Sequence, residues 1–145
     1  MKIQEFIGKS FVFAIAHGYD VVWRKFNAQL KQRGCNITEA LILIAIVFEP
    51  EKQATPSALA TALRTSRGNV SHCLAKLVRQ EQVQRTLKRD DARQFLISLT
   101  PSGARLAHRL ISDIETIEAH CEGRLMKRQG IEVLQALFAL GPTEL

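Results

Sequence analysis

Three cysteines, four prolines and eight glycines in 145 residues leave this chain with few staples and few breakers. Cys35, Cys73 and Cys121 are too few and too scattered for a disulfide framework, and no Cys-x-x-Cys occurs, which points to a reducing cytoplasm. His17, His72, His108 and His120 share no ligand spacing, and His120 and Cys121, being adjacent, face different sides of a helix, so no metal is expected. A Gly-rich phosphate loop, a nucleophile elbow and an ordered Ser, His and Asp set are all missing, which argues against an enzyme and against a cofactor. Long apolar runs are missing too. Phe11 to Ala16 is too short for a signal-peptide core or a membrane span, and Lys9 interrupts what precedes it. Gly34, Pro50, Pro56, Pro101, Gly103 and Gly130 fall between apolar periodic segments, with no low-complexity linker and no internal repeat. The chain reads as one domain, large enough to bury a core without disulfides or metal.

Acidic residues are scarce in one place. From Arg64 to Arg93 there are eight basic and three acidic side chains, so these thirty residues carry +5 of the formal +6. A solubilising charge would be spread along the chain. A single basic stripe suits a polyanion, whose phosphates release counterions when they are neutralised.

The stripe has an architecture. Thr55-Pro56 opens a short helix with a cap and a residue suited to the first helical position, and Leu59, Ala60 and Leu63 give it a buried side. Thr65-Ser66 offers a second cap, followed by Val70, Cys73, Leu74, Leu77 and Val78 on one apolar stripe. Arg67, Asn69, Ser71, His72 and Lys76 are expected on the opposite, polar face. The pattern is that of a helix-turn-helix whose second helix presents its first residues to base edges in the major groove. Arg67 matches guanine O6 and N7, and Asn69 matches adenine N6 and N7. Gly68 weakens the helix relative to alanine, which suits close backbone approach to DNA near the helix start, or a frayed first turn.

After Gln82 the period changes to two. Val83, Arg85 and Leu87 alternate on one strand and Phe95, Ile97 and Leu99 on the next, predicting a hairpin with a charged tip from Lys88 to Gln94. Beside a recognition helix such a hairpin is a wing. Arg93 and Arg89 are its candidates for the minor groove, and Asp91 is expected to hold the tip in shape. Between Asn36 and Pro50 the run Leu41 to Phe48 is too apolar for periodicity to decide. The Asn36 and Glu39 pair and the Glu49-Pro50 stop favour a buried helix over a strand.

Ser57-Ala58-Leu59-Ala60, Ser66-Arg67-Gly68-Asn69-Val70-Ser71, Asp91-Ala92-Arg93 and Leu99-Thr100-Pro101-Ser102-Gly103 together carry a resemblance. From Thr38 to Gly103 the sequence resembles the MarR family of winged helix-turn-helix transcription regulators. The most specific feature is an Asp-x-Arg wing followed by a Leu-Thr-x-x-Gly helix entry. The resemblance implies a prokaryotic, cytoplasmic homodimer that binds double-stranded DNA at a palindromic operator and often releases it on a small-molecule or oxidant signal. It casts Arg93 as the minor-groove arginine. Ala92 departs from the pattern, since many members place a second arginine there.

The expected fold is mainly α with a small β-hairpin wing. A winged module over 36–100, with the helix-turn-helix at about 55–79 and the wing at about 83–99, is flanked by dimerisation helices over 1–34 and 101–141. Ile3, Ile7, Phe11, Ile15, Val22, Phe26 and Leu30 predict one amphipathic N-terminal helix, buried on one side. Leu106, Leu110, Ile114, Ile117, Cys121 and Leu125 predict a long C-terminal one, followed by an apolar segment from Ile131 to Leu140. These stripes exceed what a winged helix needs to cover itself, which points to a twofold partner. The base readers are then Arg67, Asn69, Ser71 and His72, with Ser57, Ser66 and Lys76 on phosphates. The competing function is a winged-helix module for protein interaction or nonspecific nucleic-acid contact. Tyr19, Trp23, Arg24 and Phe26 form a candidate effector lining, although plain core is the stronger reading, as it is for Cys73 and Cys121 against an oxidant sensor.

Overall fold

Four helices begin at side-chain caps that the sequence spells out. The computed structural model describes residues 3–88 and 91–123, with helical backbone also at 132, 133, 135–137 and 139. The elements run α1 (Ile3–Lys9), α2 (Phe11–Gln32), α3 (Ile37–Phe48), β1 (Gln53–Ala54), α4 (Pro56–Ala62), α5 (Arg67–Arg79), β2 (Val83–Lys88), β3 (Asp91–Leu99) and α6 (Pro101–Glu122). Asn36 and Glu39 close a reciprocal capping box at the start of α3, so the apolar run is a helix. Thr55, Ser66 and Thr100 cap α4, α5 and α6 by accepting from Ala58, Asn69 and Gly103 N–H groups. Each such cap contributes about 1 kcal/mol.

The core sits around α3. Ile42, Leu43 and Ile46 are fully buried and pack with Leu59 of α4, Val70, Leu74 and Leu77 of α5, Ile97 of β3 and Leu110 of α6. Burying one such side chain contributes roughly 1.5–3 kcal/mol. The expected hairpin forms, and its register sets Val83 opposite Leu99, Arg85 opposite Ile97 and Leu87 opposite Phe95. Two features depart from the sequence reading. β3 begins at Asp91, inside the stretch expected as a tip, because the ladder shifts register between Leu87 and Lys88. A third strand, β1, adds antiparallel to β3, with Gln53 opposite Ser98 and Ala54 opposite Ile97, giving the sheet order β1-β3-β2.

The N-terminal helix is also corrected. Extended backbone at Ser10 splits it into α1 and α2. Of its predicted apolar side only Leu30 is fully buried within the chain, while Ile3, Ile7 and Phe11 are 68%, 44% and 59% exposed. Where α2 ends, Gly34 takes a φ of +70° and Cys35 N–H returns to the Leu30 carbonyl at 3.0 Å. That left-handed turn suits glycine. Arg33 then forks onto both Asp113 oxygens at 2.9 Å, binding the end of α2 to α6. The α6 stripe buries Ala107 and Leu110, and Leu125 lies outside the described residues. So do Ile131, Leu134, Phe138 and Leu140 of the apolar segment from Ile131 to Leu140. Among the described residues, no helix is long and apolar enough to cross a membrane.

Candidate nucleic-acid interface

The α5 helix buries Val70, Cys73, Leu74 and Leu77 against the core. At 3.6 residues per turn, the side opposite that stripe carries Gly68, His72, Ala75 and Arg79, with Ser71 beside them. Gly68, Ser71, His72 and Arg79 are exposed, as are Arg67 and Ser66 in the first turn and Ser57 at the start of α4. Arg79 is a cation that the sequence reading passed over, because it follows the last apolar residue of the stripe. The α4–α5 turn is made by Arg64, a non-glycine residue at φ 49°, while Thr65 N–H closes on the Ala60 carbonyl at 3.0 Å. The turn brings the Ser66 cap and Arg67 to the surface together.

Gly68 has no role in the chain's own packing. Its φ is ordinary, and an added Cβ would meet only the Ser66 hydroxyl, at 3.9 Å. Gly68→Ala is therefore expected to raise stability by about 0.5–1 kcal/mol, the usual helix gain. The same substitution is expected to weaken DNA binding if the backbone sits close to the duplex. Urea unfolding beside a binding titration checks both, and improved stability with unchanged binding would leave the frayed-turn reading.

Two residues expected on DNA spend polar groups on bonds within the fold. Asn69 is exposed, yet its amide nitrogen donates to Thr65 Oγ1 at 3.0 Å and to Thr38 Oγ1 at 3.3 Å, which uses both amide donors. Lys76 turns its ammonium to Glu39 Oε2 at 2.8 Å and to the Gly34 carbonyl at 3.3 Å. Its side chain is 34% exposed and that of Glu39 only 2%. A buried carboxylate draws a cation within reach of a flexible stem, so the Lys76 ammonium is directed at α3 and the turn after α2. Arg89 lies outside the described residues, as do the side chains of Asp91 and Arg93; the backbone places Asp91 and Arg93 at the distal start of β3.

The thiols are quiet where they are buried. Burial first, and the Glu39 carboxylate second, push the Cys35 thiol above its usual range against the pull of Lys76. Burial raises Cys73 as well, opposed chiefly by the bond from Asn36. Neither is a ready thiolate. With folded values above unfolded ones, the neutral thiols support the fold fully below about pH 8.5, and that support is lost as pH rises through the folded values. The denaturation midpoint is accordingly expected to fall between pH 8 and pH 10, and less so in a Cys35→Ala, Cys73→Ala double variant measured alongside.

The aromatic set on α2 is a self-packed cluster. Tyr19 stacks on Trp23 at 5.7 Å, Trp23 meets Phe26 edge-on at 6.1 Å, and Arg24 pairs with Asp20 on the exposed side. A shallow cleft of about 330 Å³ between α2 and α6 is lined instead by Lys25, Ala28, Gln29, Thr116, Ile117 and His120. Among the described residues no group of three His, Cys, Asp or Glu could hold a metal ion.

Residues 36–103 match the family model described as a winged helix DNA-binding domain. No curated protein matches the sequence at a significant level. Solved structures do match in fold. The MepR–DNA complex of Staphylococcus aureus is 20% identical, with a TM-score of 0.79 over 90% of this chain and 96% of that one. BpsR of Bordetella bronchiseptica, whose DNA binding is regulated by 6-hydroxynicotinic acid, is 15% identical, with a TM-score of 0.78 over 94% and 96%. The apo form of MarR from Escherichia coli is 19% identical, with a TM-score of 0.70 over 92% and 98%. Residues 36–103 are thus similar to a winged helix DNA-binding domain, within a fold that the chain shares with the solved MepR, BpsR and MarR structures.

Proposed function

We propose that this protein is a MarR-family transcription regulator that binds a palindromic operator as a homodimer. The observation that carries the reading is the α5 surface: an exposed face of Gly68, Ser71, His72 and Arg79, led by Arg67 and followed by the basic β2–β3 hairpin. Arg67, Ser71 and His72 are the base-contacting set, Ser57 and Ser66 meet phosphates, and Arg93 with Arg89 enters the minor groove from the wing. Asn69 and Lys76 leave that set, since their polar atoms are held within the fold. The homodimer is supported by the apolar side chains that α1 and α2 leave exposed, among them Ile3, Phe6, Phe11, Val12 and Val22. A second copy that covers them would set two α5 helices about 34–36 Å apart, one turn of duplex. Burial raises the Cys35 and Cys73 thiols, which speaks against either as an oxidant sensor. Selection from a random duplex pool tests the reading: a twofold-symmetric winner supports it, and a pool that stays random contradicts it.

A further inference from the structure

A second seam runs along α5 beside the apolar one, and it is polar. Asn69, Cys73 and Lys76 follow one another at spacings of four and three, so they line up on one side of the helix. The N-terminus of α3 meets all three. Asn69 donates to Thr38 Oγ1 at 3.3 Å, the Asn36 amide lies 4.0 Å from Cys73 Sγ, and Lys76 reaches Glu39 Oε2 at 2.8 Å. Glu39 is also the partner that closes the α3 capping box, accepting from Asn36 N–H at 3.0 Å and from its side-chain amide at 2.9 Å. Lys76 further binds the Gly34 carbonyl, at the turn that ends α2. The Glu39–Lys76 ion pair therefore joins the turn after α2, the start of α3 and the middle of α5.

The hydrophobic drive behind an apolar stripe sets the rotation of a helix about its axis only coarsely, because that drive is not directional. Hydrogen bonds are directional, and a buried charge cannot give up its partner cheaply. We infer that Asn69, Lys76 and Glu39 are positioning residues: they fix the rotation of α5 so that Gly68, Ser71, His72 and Arg79 face outward, and thereby set base specificity without touching DNA. The inference rests on the regulator reading above. It makes the seam a determinant of the ratio between specific and nonspecific affinity, since charge on the surface is unaltered by loosening an inward-facing pair.

The test compares the wild type with the double variant Glu39→Gln, Lys76→Met, which removes both charges and strands neither, and with the conservative variant Lys76→Arg. Full-length protein is titrated with its selected duplex and with a scrambled duplex over a salt series, after a thermal melt confirms that each variant is folded at the assay temperature. Amide hydrogen exchange is followed across α5 in the free proteins. The expected result is a tenfold or larger loss of affinity for the selected duplex in the double variant, affinity and salt slope on the scrambled duplex within about twofold of wild type, and faster exchange at 67–70. Lys76→Arg is expected to retain the preference. Equal loss on both duplexes with a salt slope smaller by about one would make Lys76 a phosphate contact and overturn the inference. Unchanged affinity and unchanged exchange would overturn it too. A wild type that prefers no duplex refutes the regulator reading and the specificity role with it, and the exchange data then decide separately whether the seam orders α5.

Discussion

Replacing Gly103 by alanine is expected to lower the stability of this protein by about 3 kcal/mol, at the upper end of the usual cost of overpacking. A Cβ at Gly103 would lie 1.8 Å from the Gln82 carbonyl oxygen and 2.8 Å from its carbon, both backbone atoms. That carbonyl cannot step aside freely. It accepts from Thr100 N–H at 3.1 Å, while the Thr100 hydroxyl donates to the neighbouring Glu81 carbonyl at 2.6 Å and receives Gly103 N–H at 3.0 Å to cap α6. Relief of the clash would therefore pull on the α6 cap and on the entry to β2 together. The Leu-Thr-Pro-Ser-Gly entry is thus explained by close approach of two backbones. Urea unfolding checks the expectation through a lower midpoint at unchanged slope, whereas a change within about 0.5 kcal/mol would mean that the two segments separate without strain.

The second large effect is expected in binding. Arg67→Ala should cost about 1–3 kcal/mol on the preferred duplex, and the preference at one base position should relax, because a bidentate arginine–guanine pair is lost. Arg67 is exposed in the first turn of α5, held at the surface by the Ser66 cap and the left-handed Arg64. Nothing in the core depends on it, so the melting temperature should stay near that of wild type. Titration of the selected duplex and of all single-base variants at one position after another reads the effect. Equal weakening on every duplex would demote Arg67 to a phosphate contact.

Much of the fold could be read from local signals. The Asn36 and Glu39 box, the Thr55, Ser66 and Thr100 caps and the alternation around Val83 and Ile97 each involve residues within a few positions, or a register set by one hairpin. What escaped involves partners far apart or backbone states without their usual residue. β1 is two residues long and exists only because β3 offers it an edge. Lys52, Arg64 and Glu81 take positive φ without being glycine, so the turns after α3, α4 and α5 carry no Gly signal. The outward face of α5 could be counted from the sequence, but the inward turn of Lys76 could not. Its partner Glu39 is 37 residues away and reads locally as a helix cap. Asn69 misled for a similar reason: an amide suited to adenine is equally suited to two threonine hydroxyls. On the N-terminal stripe, periodicity gave the apolar side but not what covers it.

Selection of bound duplexes from a random pool at near-physiological salt, followed by a salt titration of the winner and of a scrambled control, tests the central claim most directly. A dimeric reader using the α5 face should enrich a palindrome with half-sites about one helical turn apart, bound on the order of a thousandfold or more over the control. No enrichment, with the same steep salt slope on both duplexes, would contradict sequence readout and leave the basic stripe as a surface for nonspecific contact.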